Sequence, residues 1–210
     1  NIIGLKPTKG RFSNRGLLPA CKSLDCISIF ALTVTDADII AQTVEHYDAL
    51  DSYSRQHPKT APAKLSAKPH FAIPQKLEFF GDDQAKYAFQ LAVEQLKALG
   101  AEITEIDFLA FEQLAAQLYQ GSWVAERTAA VAELLAQQPE VFDPTVRAII
   151  QKGHDFSAVD AYNAEYLKQD LSRKIQDTLA QFDALIVPTS PTIHTLAEME
   201  QSPISLNSAF

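Results

Sequence analysis

The clearest periodic pattern of apolar and polar residues runs through residues 70–107. The apolar run at residues 70–73 predicts a strand, and Asp82 is placed to cap a helix that follows. Gly100 marks the end of this predicted helix. Its apolar face consists of side chains that recur at helical spacing: Ala85, Ala88, Phe89, Ala92, Leu96 and Leu99. Residues 102–107 alternate between polar and apolar, as a strand does. This order predicts a βαβ unit with parallel strands and a right-handed crossover.

Other patterns extend this α/β reading to the rest of the chain. Thr35 with Asp38 predicts the start of a helix that runs to about residue 48. Three further helical regions are predicted at residues 112–137, 144–152 and 157–181. The apolar run at residues 184–187 predicts a buried parallel strand, and residues 26–34 predict a buried strand or turn. The fold class predicted is therefore α/β.

Composition and charge exclude several classes of function. The chain has 210 residues, with 18 Lys and Arg against 26 Asp and Glu, a net charge of -8. Its cations are not clustered, so we expect no nucleic-acid partner. Its longest apolar runs are far short of the ~20 residues that span a bilayer, so we expect no membrane partner. Cys21 and Cys26 lack a second Cys or His pair, which predicts neither a metal site nor a disulfide framework.

The residues alone do not reveal a catalytic centre. Lys6, Ser13 and Ser23 are nucleophiles or bases by type, and Ser and Lys form a catalytic pair when the amine is held neutral beside the hydroxyl. Closeness in sequence does not establish such a pair, and a lone Lys before a proline is usually solvated. Neither a nucleophile-elbow motif nor a phosphate-binding loop occurs in the sequence.

Two short motifs give the chain a family resemblance. Residues 1–10 read N-I-I-G-L-K-P-T-K-G, and residues 23–25 read S-L-D. This resembles the amidase signature family, whose members carry N-x-x-G-L-K-P-T-x-G followed by S-L-D at this spacing. Cys21 and Cys26 on both sides of S-L-D resemble the allophanate hydrolase branch, whereas transfer-RNA amidotransferase subunits continue S-L-D with Q-x-G. Residues 183–192, D-A-L-I-V-P-T-S-P-T, resemble a later strand of the family.

The resemblance implies a fold and a domain organisation. It implies an amidase-signature-like mixed sheet with flanking helices, present here as a partial domain. We predict a single truncated amidase domain over residues 1–210: a core segment after the catalytic motif at 1–56, a connector at 57–69, and a βαβ unit with a helical substrate-side region at 70–210. The family's Ser, cis-Ser and Lys triad lies before the position of Asn1, so no catalytic residue is assigned in this chain. We expect the chain alone to be inactive.

The resemblance also implies a substrate-binding pair, Tyr119 and Arg127. They match the Tyr and Arg that allophanate hydrolases use to hold their substrate. A guanidinium and a phenol hydroxyl offer directional hydrogen bonds to a carboxylate beside a urea-like group. On one helix, Tyr119, Trp123 and Arg127 would form a single stripe, unless Gly121 bends the path. The alternative is structural, with Arg127 stacked on Trp123 and Tyr119 packed on a neighbouring element.

The activity that the resemblance implies is hydrolysis of an amide C–N bond of allophanate, releasing ammonia and N-carboxycarbamate. This chemistry requires no cofactor and no metal. The implied partners are the small-molecule substrate allophanate and, in the same pathway of nitrogen recovery from urea, a urea carboxylase. We further expect a homodimer, because missing neighbours expose sheet edges, and a cytoplasmic location, because both cysteines lack a partner pattern. The alternatives are another amidase-signature enzyme, such as a transfer-RNA amidotransferase subunit, or a non-catalytic remnant.

Overall fold

The computed structural model describes residues 2–57 and 64–202. Residues 58–63 of the predicted connector lie outside the described part of the chain. The chain divides into two compact units, of which the first contains residues 1–62 and 125–139 and the second contains residues 63–124 and 140–210. The domain boundaries given above stay a prediction.

The first unit is built on a small antiparallel ladder and one helix. Strand β1, Ile3–Leu5, pairs with strand β2, Ile29–Ala31. Helix α1, Val34–Val44, packs on this ladder. Phe12, Ile29 and Ala37 are buried together at their junction, so burial of apolar surface holds this unit together.

The N-terminus of α1 differs by two residues from the prediction. Thr33, rather than Thr35, caps the helix, since its hydroxyl oxygen accepts a hydrogen bond from the backbone N–H of Asp36. The helix also ends at Val44, four residues before the predicted end. The predicted strand or turn at residues 26–34 contains only the three-residue strand β2.

The second unit contains the predicted βαβ arrangement. Strand β3, His70–Pro74, is followed by helix α2, Asp83–Ala98, and strand β4, Glu102–Ile106. The two strands are parallel, with His70 opposite Glu102, as predicted. Strand β5, Ala184–Leu185, lies parallel to β3 on its other side, which gives the strand order β4-β3-β5. Ala72 in the central strand is fully buried, because strands flank it on both sides.

Helix α2 begins where the sequence predicts it to begin. The Asp82 side chain accepts a hydrogen bond from the backbone N–H of Ala85 and satisfies one otherwise unpaired helix-terminal donor. A second carboxylate oxygen of Asp82 accepts a hydrogen bond from the Thr192 hydroxyl at 2.6 Å. These contacts hold the pKa of Asp82 below its ordinary value, with the Thr192 hydroxyl as the larger cause. The cap therefore also ties α2 to the segment after β5.

The helical part of the chain departs from the prediction in two places. The region predicted as one helix at residues 112–137 is two helices separated at Gly121, and the helix at residues 196–201 is not among the predictions. The helices predicted at residues 144–152 and 157–181 are found close to those ranges. In chain order these helices are α3 Leu109–Gln120, α4 Trp123–Gln137, α5 Pro144–Gln151, α6 Ala158–Leu179 and α7 Leu196–Gln201. Within the second unit, α6 packs against α3 and begins at a capping box between Ser157 and Asp160.

The break between α3 and α4 lies at a position that requires glycine. A Cβ atom at Gly121 would lie 2.7 Å from the carbonyl oxygen of Gln117, too close for any side chain. Gly121 is the C-cap of α3, and its backbone N–H still donates to that same carbonyl. The predicted single-helix stripe of Tyr119, Trp123 and Arg127 is therefore wrong, because Tyr119 lies on α3 and the other two lie on α4.

Along the described ranges, none of the helices combines the length and the apolar character that crossing a lipid bilayer requires.

Candidate functional site

Arg127 lies in the second turn of α4, in the first unit, with a half-buried side chain. Its guanidinium donates a hydrogen bond to the thiol sulfur of Cys21. Cys21 is only 3% exposed. Burial raises the pKa of this thiol, and the nearby guanidinium opposes that rise only in part. Cys21 is therefore a protonated, packed thiol and a hydrogen-bond partner of Arg127 rather than a reactive nucleophile.

Cys21 belongs to a tight turn that contains the S-L-D motif, which we call the SLD loop, residues 20–25. The carboxylate of Asp25 accepts hydrogen bonds from the backbone N–H groups of Ala20 and Cys21, both at 3.0 Å. The carbonyl oxygen of Cys21 in turn accepts from the backbone N–H groups of Leu24 and Asp25, both at 2.8 Å. Asp25 thus fixes a turn, which is a common structural role of aspartate.

The SLD loop is also bonded to α4 through Ser23. The backbone N–H of Ser23 donates to Oε1 of Glu126 at 2.6 Å, and its hydroxyl donates to Oε2 at 2.7 Å. One residue therefore satisfies both carboxylate oxygens of Glu126. This contact is not predictable from the sequence, because the two residues are 103 positions apart and their types are common on solvated surfaces.

Tyr119, the second predicted substrate-binding residue, lies in the last turn of α3, in the second unit. Its side chain is 42% exposed. The two residues of the predicted pair thus occupy different helices and different units, and their joint role in binding stays a prediction.

Trp123 has a structural environment within the second unit. It is buried, with 7% exposure, and the Lys168 ammonium lies 5.4 Å from the centre of its ring. This is within the range of a cation–π interaction. The packing alternative predicted such a contact for Trp123 with Arg127, and the structure provides a lysine from α6 in that role.

The nucleophile candidates at the start of the chain have structural partners. The ammonium of Lys6 donates to the carbonyl oxygen of Pro7 at 3.0 Å. The hydroxyl of Ser13 donates to Oδ2 of Asp48 at 2.8 Å, and Nε of Arg15 donates to the same oxygen at 3.0 Å. Both side chains therefore serve the packing of this segment, and we assign neither a catalytic role.

The acceptor of these bonds, Asp48, is a buried carboxylate with 8% exposure. Its pKa lies below its ordinary value, chiefly because the backbone N–H of Leu50 donates to it, and next because the Ser13 hydroxyl does. The pKa of Asp51 is lowered as well, chiefly by the backbone N–H of Asn14. Hydrogen bonds to the charged form favour ionisation, so this carboxylate pair stays charged at neutral pH.

Among the cavities that described residues line, one in each unit lies near the features above. The first, of about 290 Å³, borders the SLD loop and is lined by charged residues of both signs, Arg15, Lys22, Asp25 and Asp51. The second, of about 700 Å³, is mainly apolar and lies past the carboxyl ends of the parallel strands, between Phe108, Phe111 and Pro188. Across residues 2–57 and 64–202, three or more His, Cys, Asp or Glu side chains are nowhere grouped closely enough to hold a metal ion.

The family of the chain follows from comparison with known sequences. The sequence model of the protein family described as Amidase matches residues 1–209. The chain therefore belongs to the amidase family. This confirms the resemblance carried by the motifs at residues 1–10 and 23–25.

Comparison with individual proteins narrows the position of the chain within the family. Urea amidolyase of Saccharomyces cerevisiae is 42% identical over 211 residues, which cover 99% of this chain and 12% of that protein. The solved structure of Kluyveromyces lactis allophanate hydrolase superposes with a TM-score of 0.95 at 42% identity, over 100% of this chain and 34% of that one. The A subunit of the glutamyl-tRNA(Gln) amidotransferase of a Synechococcus strain is 31% identical, over 98% of this chain and 46% of the subunit.

Two consequences follow from these values. The amidase-like α/β fold predicted above is confirmed by the superposition, and the chain is more similar to the first two proteins than to the amidotransferase subunit. The chain also spans only about an eighth of the urea amidolyase and about a third of the allophanate hydrolase.

Proposed function

We propose that this chain is the substrate-binding part of an allophanate hydrolase, in which Arg127 binds the carboxylate of allophanate. The observation that carries the proposal is the placement of Arg127: this half-buried residue donates a hydrogen bond to Cys21 of the SLD loop, in a chain 42% identical to an allophanate hydrolase. The reaction is hydrolysis of an amide C–N bond, with water consumed and ammonia released. The Ser, cis-Ser and Lys triad of the family supplies the nucleophile, and we assign it to residues other than these 210.

The net charge of the chain supports a cationic side chain, Arg127, as the group that binds the substrate carboxylate. Its net charge of -8 repels an anionic ligand, so binding requires a fixed positive group. A guanidinium presents parallel N–H donors that match both oxygens of a carboxylate. In this proposal Arg127 recognises the carboxylate. Tyr119 is proposed as the second substrate-binding residue, because a phenol hydroxyl is a directional hydrogen-bond donor.

The pathway and cellular setting belong to the same proposal. A urea carboxylase supplies allophanate by carboxylating urea, and the hydrolase then recovers nitrogen as ammonia. We place the enzyme in the cytoplasm as a homodimer. Cys21 and Cys26 are thiols rather than a disulfide, which supports a reducing compartment. The alternative function, in a transfer-RNA amidotransferase, has the weaker support of 31% identity.

Replacing Arg127 by glutamine in the protein expressed from its complete gene tests this proposal. Loss of a charge-assisted hydrogen bond to a carboxylate costs about 2 kcal/mol, so we expect KM for allophanate to rise about 30-fold. Ammonia release over a range of allophanate concentrations measures it, with malonate as a competing dicarboxylate. Arg173→Gln is the matched control, because Arg173 is an exposed residue of α6 and the charge change is the same.

The outcomes separate the candidate functions. Unchanged KM for allophanate and an unchanged inhibition constant for malonate in the Arg127→Gln protein would contradict the role of Arg127. Ammonia release from glutamine but not from allophanate would contradict the substrate and favour the amidotransferase alternative.

A further inference from the structure

Glu126 is held by the SLD loop more firmly than a surface carboxylate needs to be. Its two oxygens accept one hydrogen bond each from Ser23, at 2.6 and 2.7 Å, and both bonds are partly shielded from solvent. Hydrogen bonds to a charged acceptor are about twice as strong as those between neutral groups. The pair therefore forms a short and directional link between the loop and α4.

The loop end of this link is itself fixed. The carbonyl oxygen of Ser23 accepts a hydrogen bond from the ammonium of Lys9 at 2.8 Å. Asp25 closes the turn on the backbone of Cys21, and the side-chain amide of Asn14 donates to the carbonyl oxygen of Asp25 at 2.9 Å. Ser23 thus belongs to a loop that hydrogen bonds hold in place, so its own hydrogen bonds fix the position of Glu126.

The residue that follows Glu126 on α4 contacts the same loop. The Arg127 guanidinium donates to the sulfur of Cys21, two residues before Ser23. A thiol is a weak acceptor and cannot by itself fix the direction of a long, flexible side chain. The Ser23–Glu126 link supplies the stronger constraint, because it sets the position of the helical turn from which Arg127 extends.

We propose that Glu126 is a positioning residue, which through Ser23 fixes the turn of α4 that carries Arg127 and so directs the guanidinium toward the substrate anion. The inference rests on the proposed function, in which Arg127 binds the substrate carboxylate. Glu126 does not touch the substrate in this arrangement. Its loss therefore weakens anion binding and leaves the chemical step intact.

Steady-state kinetics of the protein expressed from its complete gene test this inference. For Glu126→Ala we expect KM for allophanate and the inhibition constant of malonate to rise about tenfold, with kcat changed less than twofold. Glu126→Gln keeps a carbonyl acceptor for the Ser23 N–H and an amide donor for its hydroxyl, so it is expected to restore both constants to within about threefold. Glu133→Ala, an exposed carboxylate of the same helix, is the matched control and is expected to change neither constant.

A parallel measurement on Arg127→Gln separates failure of the inference from failure of the proposed function. If Arg127→Gln weakens malonate and Glu126→Ala does not, the positioning role is overturned and the proposed function stands. If neither variant weakens malonate, the proposed function fails, and with it the inference. A lower melting temperature of Glu126→Ala with an unchanged malonate constant would show a purely structural link and would overturn the inference.

Should Glu126→Ala not fold, Ser23→Ala gives the same test with a smaller change. It removes the hydroxyl donor and keeps the backbone one, so the malonate constant is expected to rise about threefold, and no rise would overturn the inference.

Discussion

Replacing Gly10 by alanine tests how closely the motif segment at residues 1–10 approaches the chain that packs on it. Gly10 has φ +83°, and a Cβ atom there would lie 2.6 Å from the carbonyl oxygen of Tyr53 and 2.9 Å from Cγ of Arg55. The Arg55 side chain is flexible and can move, whereas the Tyr53 oxygen belongs to the backbone. The carbonyl oxygen of Gly10 also accepts a hydrogen bond from the backbone N–H of Arg55 at 2.9 Å. Any shift that relieves the overlap therefore strains this bond.

The expected destabilisation has two parts. A non-glycine residue in the left-handed region costs about 1–2 kcal/mol, and forcing an extra methyl group into a packed site costs about 1–3 kcal/mol more. For a chain of this size, 1 kcal/mol corresponds to a fall in Tm of about 2–4 °C. The Gly10→Ala protein is therefore expected to melt about 10 °C lower than the original.

Gly16→Ala is the matched control, because it isolates the first part. Gly16 has φ +87°, and nothing lies within 4 Å of the position that its Cβ would take. We expect this variant to lose about 1–2 kcal/mol, or about 4 °C. Thermal unfolding followed by circular dichroism measures both. An equal fall in Tm for the two variants would refute the argument that Gly10 is required by close backbone approach.

Two further predictions concern pH and the tryptophan environment. Because the Leu50 N–H and other donors hold the pKa of Asp48 below its unfolded value of 3.8, the unfolded chain binds more protons in acid. The contribution of Asp48 to the free energy of unfolding is therefore fully present above about pH 5 and declines as pH falls below about 4. Urea unfolding at several pH values is expected to show this decline. In the Asp48→Asn protein the free energy of unfolding is expected to change less steeply with pH. Lys168→Met removes the cation near Trp123, the single tryptophan of the chain. We expect this variant to have altered tryptophan fluorescence and a free energy of unfolding lower by about 0.5–1 kcal/mol, whereas Lys168→Arg keeps the original emission. Unaltered emission in the methionine variant would contradict the contact.

Local interactions explain where prediction from the sequence succeeded. The βαβ unit and its Asp82 cap follow from apolar periodicity and from a hydrogen bond that spans only three residues. The start of α1 shows the limit of such signals, because Thr33–Asp36 and Thr35–Asp38 have the same spacing. Both are acceptable capping pairs in isolation. In the folded chain Thr33 is the cap, and Ala37, at 2% exposure, is buried in the core of the first unit.

Only some residues of the candidate site could be predicted from the sequence. Resemblance to the family predicts Arg127 as a substrate-binding residue. The partner of Glu126 is not predictable from the sequence, because Ser23 is 103 residues away and neither residue type is unusual. A glycine at position 121 indicates a place where the helix can bend. That this position requires glycine depends on how closely the carbonyl oxygen of Gln117 approaches it.

The amino-acid sequence by itself determined the family, the α/β class and the βαβ unit, since these depend on motifs and periodicities that short segments carry. Only the tertiary structure decided which distant side chains meet: the SLD loop with Glu126 and Arg127 of α4, and Lys168 with Trp123. The physical reason is that such contacts form between segments far apart along the chain, where burial and backbone geometry, rather than sequence spacing, bring a donor to its acceptor.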